Sequence, residues 1–131
     1  MSIDPKEIDT VMLLTADDRH EFFIDQVSES RTLWALCSPE KGWPTFMDDT
    51  QGFRLFPLWS DQVFAEQNAV GEWAGFETKS FDIEVFIQEV APELEIGGML
   101  VSVFKKTDDL GYVIPADTLA KIFQSFQPRK S

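Results

Sequence analysis

Nucleophile–base chemistry near neutral pH usually draws on an imidazole, and this chain carries one, His20. It stands between Arg19 and Glu21 on the flank of an apolar helical stripe, with no nucleophile at a spacing that would bring it close, so a helix-surface position accounts for it. Cys37 is the lone thiol and ends an apolar run, which suits a buried structural thiol and allows no intramolecular disulfide. No His or Cys pair stands at metal-ligand spacing. Asp48-Asp49 and Asp108-Asp109 fall in turn contexts, where Asp bonds its own backbone, so neither a metal nor a cofactor is expected. Gly97-Gly98 lacks a following Lys-Ser/Thr and opens a strand, unlike a phosphate loop. Among 23 acids a carboxylate pair can always be drawn, but Glu84 with Glu89 and Glu93 with Glu95 read as solvated helix surface. No catalytic residue is assigned.

Two features remain. Trp34 and Trp59 sit inside apolar strands and read as core, whereas Trp43 follows a turn glycine and Trp73 lies in Gly71-Glu72-Trp73-Ala74-Gly75. A loop Trp either plugs the edge of a core or anchors a partner. The second feature is charge. The chain's formal charge is −12, and residues 60–104 hold nine acids against Lys79 alone, so this third carries −8 of it. Solubility is one use of such a surface, and steering of a basic protein is the other. The candidate partner-binding set is Trp43, Trp73, Asp61, Glu66, Glu84 and Glu89.

These side chains need elements to hold them. Asp4 and Pro5 can open a short helix toward Leu14, and Thr15 with Asp18 can cap a second helix whose stripe is Phe22, Phe23 and Val27. Thr32–Cys37 reads as a strand that turns at Ser38–Gly42 and returns as Trp43–Met47 in a hairpin. Phe53–Trp59 is nearly continuous in apolar residues and suggests an interior strand covered on both faces. Ser60 is the expected N-cap of the next helix, and Phe76–Phe81 the next strand. Ile83, Phe86, Ile87 and Val90 give the clearest helical stripe, with Pro92 ending its regular part. Met99–Phe104 and Tyr112–Ile114 pair across a polar turn, and Pro115 opens a last helix facing inward through Leu119, Ile122, Phe123 and Phe126.

The order α(α)-β-β-β-α-β-α-β-β-α implies a single compact α+β domain with a mixed, mostly antiparallel sheet packed by helices. A helical extension at 1–14 would precede the domain at 15–131. At 131 residues the chain is long enough for a substantial core, and 12 Phe and 4 Trp exclude disorder. The acid excess argues against nucleic acid and against anionic membranes. Met1–Pro5 lacks a basic leader and no run reaches the ~20 apolar residues of a membrane span, so a cytoplasmic setting is expected.

Phe56-Pro57-Leu58-Trp59-Ser60-Asp61, then Ala65, Gly71-Glu72-Trp73, Phe86, Ala91-Pro92-Glu93-Leu94, Gly98 and Val101-Ser102-Val103-Phe104 carry a resemblance. With Phe22-Phe23, Val27 and Leu33-Trp34-Ala35-Leu36 upstream, the chain resembles the domain-of-unknown-function 2750 family of small bacterial proteins, from about Arg19 to Phe126. The resemblance implies a compact α+β fold and supplies no catalytic residues.

The residues support a non-enzymatic, bacterial, cytoplasmic protein-binding module, steered by acids and anchored by Trp73 or Trp43, with room left for a homodimer. An immunity or antitoxin-like inhibitor of a basic enzyme is a narrower form. The competing class is a small-molecule binder or enzyme using carboxylates near Trp59–Asp61, where a strand-to-helix junction tends to form a crevice.

Overall fold

Asp4 caps the first helix, α1 (Pro5–Met12), by accepting a hydrogen bond from the Lys6 N–H, and Pro5 sits in the first turn, where its missing donor is not needed. Thr15 caps α2 (Ala16–Ser30) in the same way through the Asp18 N–H at 3.2 Å. The computed structural model in which these caps are seen describes residues 4–126. Met1–Ile3, part of the leader reading, and positions 127–131 of the expected domain lie outside the described residues.

Beyond α2 the chain forms β1 (Thr32–Cys37), β2 (Phe46–Asp48), β3 (Phe53–Leu58), α3 (Gln62–Gln67), a 3-10 turn (Gly71–Trp73) and β4 (Glu77–Asp82). A continuous helical segment follows as α4 (Ile83–Val85), a π turn (Phe86–Val90) and α5 (Ala91–Ile96). Strands β5 (Leu100–Val103) and β6 (Tyr112–Pro115) and helix α6 (Ala116–Gln124) complete an α+β fold in the expected order.

The strands make two sheets. Strands β2-β3-β5-β6 form one, with β3 and β5 parallel and the other neighbours antiparallel. Strand β1 pairs antiparallel with β4 in the other. Trp34 and Trp59 join the two sheets by exchanging backbone bonds of 2.8 and 2.9 Å.

This pairing corrects the expected hairpin. Ser38 and Gly42 do close a turn by exchanging backbone bonds, with Gly42 at φ 74°, but the chain then leaves β1. Pro44 has no N–H to give a ladder, and the short strand that forms beyond it, β2, pairs with β3. Strand β3 is interior between β2 and β5, yet it is covered only from Leu55 onward, since Phe53 and Arg54 face solvent. The expected Ser60 cap is also corrected. Asp61 is the N-cap of α3, and the Ser60 hydroxyl donates to its carboxylate at 2.8 Å. Pro92 does not end the helix. The wide π turn, closed by the Ala91 N–H on the Phe86 carbonyl, delivers Pro92 into the first turn of α5, where a donor is not required.

One core holds Phe23 and Val27 from α2, Leu33 and Leu36 from β1, Leu58 and Trp59, Phe64, Phe86, Phe104 and Phe123. Helix α1 shares it, burying Val11 and laying Ile8, Met12 and Leu14 against it. Arg19 is a charged residue of this interior, 1% exposed. Its Nε donates to the Phe104 carbonyl at 3.1 Å and its Nη1 to the Leu14 carbonyl at 2.6 Å. Nη2 stands 2.8 Å from Asp109 Oδ1 as an ion pair, off the line of a good hydrogen bond. Asp109 Oδ1 also accepts from the Gly111 N–H at 2.6 Å, so one guanidinium ties α2 to the loop between β5 and β6.

Candidate functional site

Gly42 turns the chain so that Trp43 lies at the surface, 44% exposed, with its ring against Phe56 and Phe81 at centroid distances of 6.0 and 6.1 Å. These rings, with Thr45, Val85, Val90, Leu94 and Met99, line a groove of about 540 Å³. Glu89 and Glu93 line the same groove. Glu89 and Val90, both within the π turn, lie on this groove, which has an apolar floor with an acidic edge.

Gly71 and Gly75, at φ 60° and 87°, bracket the 3-10 turn that carries Trp73. The indole is half-buried, packed edge-on to Phe46 at 5.8 Å. Lys105 Nζ lies 5.3 Å from the centroids of both rings. Its position is set through the backbone. The Lys105 carbonyl accepts from Trp59 Nε1 at 3.0 Å and from Asn68 Nδ2 at 3.2 Å. Asn68 Nδ2 also donates to the Phe64 carbonyl at 2.9 Å, leaving Asn68 Oδ1 buried with no protein donor among the described residues. An orphaned buried acceptor costs about 1–3 kcal/mol. Burial pushes the Lys105 ammonium below its ordinary value, against the opposing pull of Asp109 and Asp108. A groove of about 310 Å³ passes over these groups, and a second of about 400 Å³ runs between Trp73 and Trp43 beside Lys41, Pro44, Glu72 and Phe76.

Of the six residues expected at a partner surface, Trp43 and Glu89 therefore share one groove, and Trp43 and Trp73 share another. Asp61, Glu66 and Glu84 line none of the three. Glu66 is exposed on α3, which packs on β1 and β4, whereas the α4–α5 segment packs on α6. Glu84 faces solvent 3.8 Å from Arg31, a surface ion pair of little energetic weight. Asp61 is half-buried, and burial raises its pKa against the lowering effect of the Ser60 hydroxyl. Trp59 is fully buried beside it and offers no face to a ligand. Sequence reasoning missed Lys105 as a groove residue. The available signal was Phe104-Lys105-Lys106, a basic step directly after the acid-rich third.

His20 takes a structural position, half-buried and stacked on Tyr112 at 4.0 Å and 13°. Burial lowers its pKa below 6.5, against Asp17 and Glu21, and Nδ1 is buried without a partner among the described residues. The unfolded chain thus binds this proton at higher pH than the folded one. Stability is full above pH 6.5 and is lost as pH falls through the window just beneath it. Urea midpoints at pH 7.5 and 5.5 are expected to fall in the wild type and to stay level in His20→Gln; equal drops in both would remove His20 from the effect.

Among the described residues no group of three or more His, Cys, Asp or Glu is placed to hold a metal ion, and no helix is long and apolar enough to cross a membrane. A family model described as Protein of unknown function (DUF2750) matches residues 20–123. No curated protein and no solved structure matches the chain.

Proposed function

The chain belongs to the DUF2750 family of proteins of unknown function, and from that premise we propose that it is a non-enzymatic protein-binding module whose Trp43 groove receives a segment of a basic partner. The observation that carries this reading is the groove's composition. Trp43, Phe56, Phe81, Val85, Val90, Leu94 and Met99 form an apolar floor, and Glu89 and Glu93 stand beside it. That pattern fits apolar anchors flanked by Lys or Arg. The chain's −12 charge would speed the encounter with a cationic surface and repel acidic competitors. Trp43 is the anchor on this side: a large indole, supported from below by two rings and still open to contact.

The setting that suits this reading is the bacterial cytoplasm, where a lone Cys37 stays reduced. Its narrower form is an inhibitor that covers the cationic cleft of a nucleic-acid-acting enzyme, as an immunity protein or antitoxin does. A toxin gene beside this one would support that form.

Capture from a bacterial lysate tests the proposal with two baits, wild type and Trp43→Ala/Glu89→Lys/Glu93→Lys. The substituted side chains are surface groups, so both baits should fold. A basic protein retained by the wild type and reduced at least ~10-fold on the variant is the expected result, the loss of one hot-spot contact being worth that much. Identical retention by both baits would sink the proposal.

A further inference from the structure

The groove over Lys105 is separate from the Trp43 groove and differs from it in chemistry. Lys105 Nζ gives one of its three N–H groups to the Lys106 carbonyl at 2.8 Å, and its charge rests over Phe46 and Trp73. Asn68, 4% exposed, lines the same groove. Two carbonyl acceptors fix its amide, so it serves as a fixed wall of the groove, and its Oδ1 has no accessible surface to offer a ligand. Glu72 adds an exposed carboxylate at the lip.

A ligand complementary to this set carries an anion for Lys105, an N–H donor for Glu72, and an apolar part for Trp73. The field of a −12 chain opposes a simple anion such as phosphate, whereas a zwitterion brings no net charge into it. We propose that this groove binds a free α-amino acid with an apolar or aromatic side chain. Its carboxylate meets the Lys105 ammonium, its ammonium faces Glu72, and its side chain lies along Trp73 and Val70. The volume of about 310 Å³ lies within the range of small-molecule sites.

Nuclear magnetic resonance titration of the ¹⁵N-labelled full chain tests this with L-phenylalanine, phenethylamine, 3-phenylpropanoate and inorganic phosphate, each up to ~10 mM. L-Phenylalanine is expected to move the Trp73 indole N–H and Lys105 amide signals and to bind at least ~10-fold more tightly than either fragment, because each fragment lacks one charge-assisted contact. Lys105→Gln is expected to weaken it ~10-fold while keeping the backbone carbonyl that Trp59 and Asn68 use, and with it the fold. Overturning results are an unmoved Trp73, a fragment or phosphate that binds as tightly, or full affinity in Lys105→Gln. The Trp43 groove plays no part in this titration, so failure here leaves the protein-binding proposal standing.

Discussion

Arg19→Met is expected to remove about 2–5 kcal/mol of stability, because two carbonyls of the interior lose their donors at about 1–3 kcal/mol each, whereas Asp109, a third exposed, keeps its hydration. The side chains are similar in length, so the volume stays filled and the loss is electrostatic. The Phe104 and Leu14 carbonyls lose their donors, and Asp109 loses its cation. Domains of this size hold only about 5–15 kcal/mol in all, so the urea midpoint should drop by ~1 M or more. Acid sensitivity should change too. Burial works to raise the Asp109 pKa, but the Gly111 N–H and the Arg19 guanidinium overcome it and hold the carboxyl below its ordinary 3.8. That contribution is present above pH 3.8 and is lost as pH falls through the lower folded value. The Arg19→Met variant should lose less than the wild type across that window. A loss under ~1 kcal/mol, the range of a surface pair, would mean Arg19 does not organise the core.

Gly111→Ala is expected to cost about 2–4 kcal/mol from a single methyl group. Gly111 lies at φ 79°, and a Cβ there would come within 2.6 Å of the Val103 carbonyl oxygen and 2.9 Å of the Lys105 N. Both are backbone atoms that no rotamer change can move aside. Gly52 supplies the control: it has φ 76° but nothing within 4 Å of the added carbon, so Gly52→Ala should show backbone strain alone, about 1–2 kcal/mol. Equal effects at the two glycines would mean the close approach at Gly111 is relieved without cost. The larger loss, with displaced Lys105 signals, is the expected outcome, since the Gly111 clash reaches the backbone that carries Lys105.

What the sequence made legible were the features governed by neighbours along the chain. Asp4 and Thr15 as caps, the Leu119–Phe123 face of α6 and the apolar run Phe53–Trp59, buried from Leu55 onward, follow from local rules of capping and periodicity. The partner of β1 was not legible, because β4 reaches it from forty or more residues away, with Thr32 opposite Asp82. Nor was the π turn, which has no composition of its own and hides inside a helical stripe. Trp43 and Trp73 stood out as loop aromatics, and the structure gives both a place on grooves. Lys105 stayed hidden because its position depends on Trp59 and Asn68, two side chains from other elements meeting one carbonyl. Arg19 was noticed only as a neighbour of His20, since burial of a cation becomes visible only once Leu14, Phe104 and Asp109 converge on it.

The proposed partner chemistry can be measured without knowing the partner. Selection of a random peptide library on the immobilised full chain should enrich sequences with apolar anchors flanked by Lys or Arg. The enriched peptides should bind Trp43→Ala and Glu89→Lys/Glu93→Lys at least ~10-fold more weakly than the wild type. Enrichment of acidic sequences, or peptides that bind the wild type and both variants equally, would contradict a basic partner seated in the Trp43 groove.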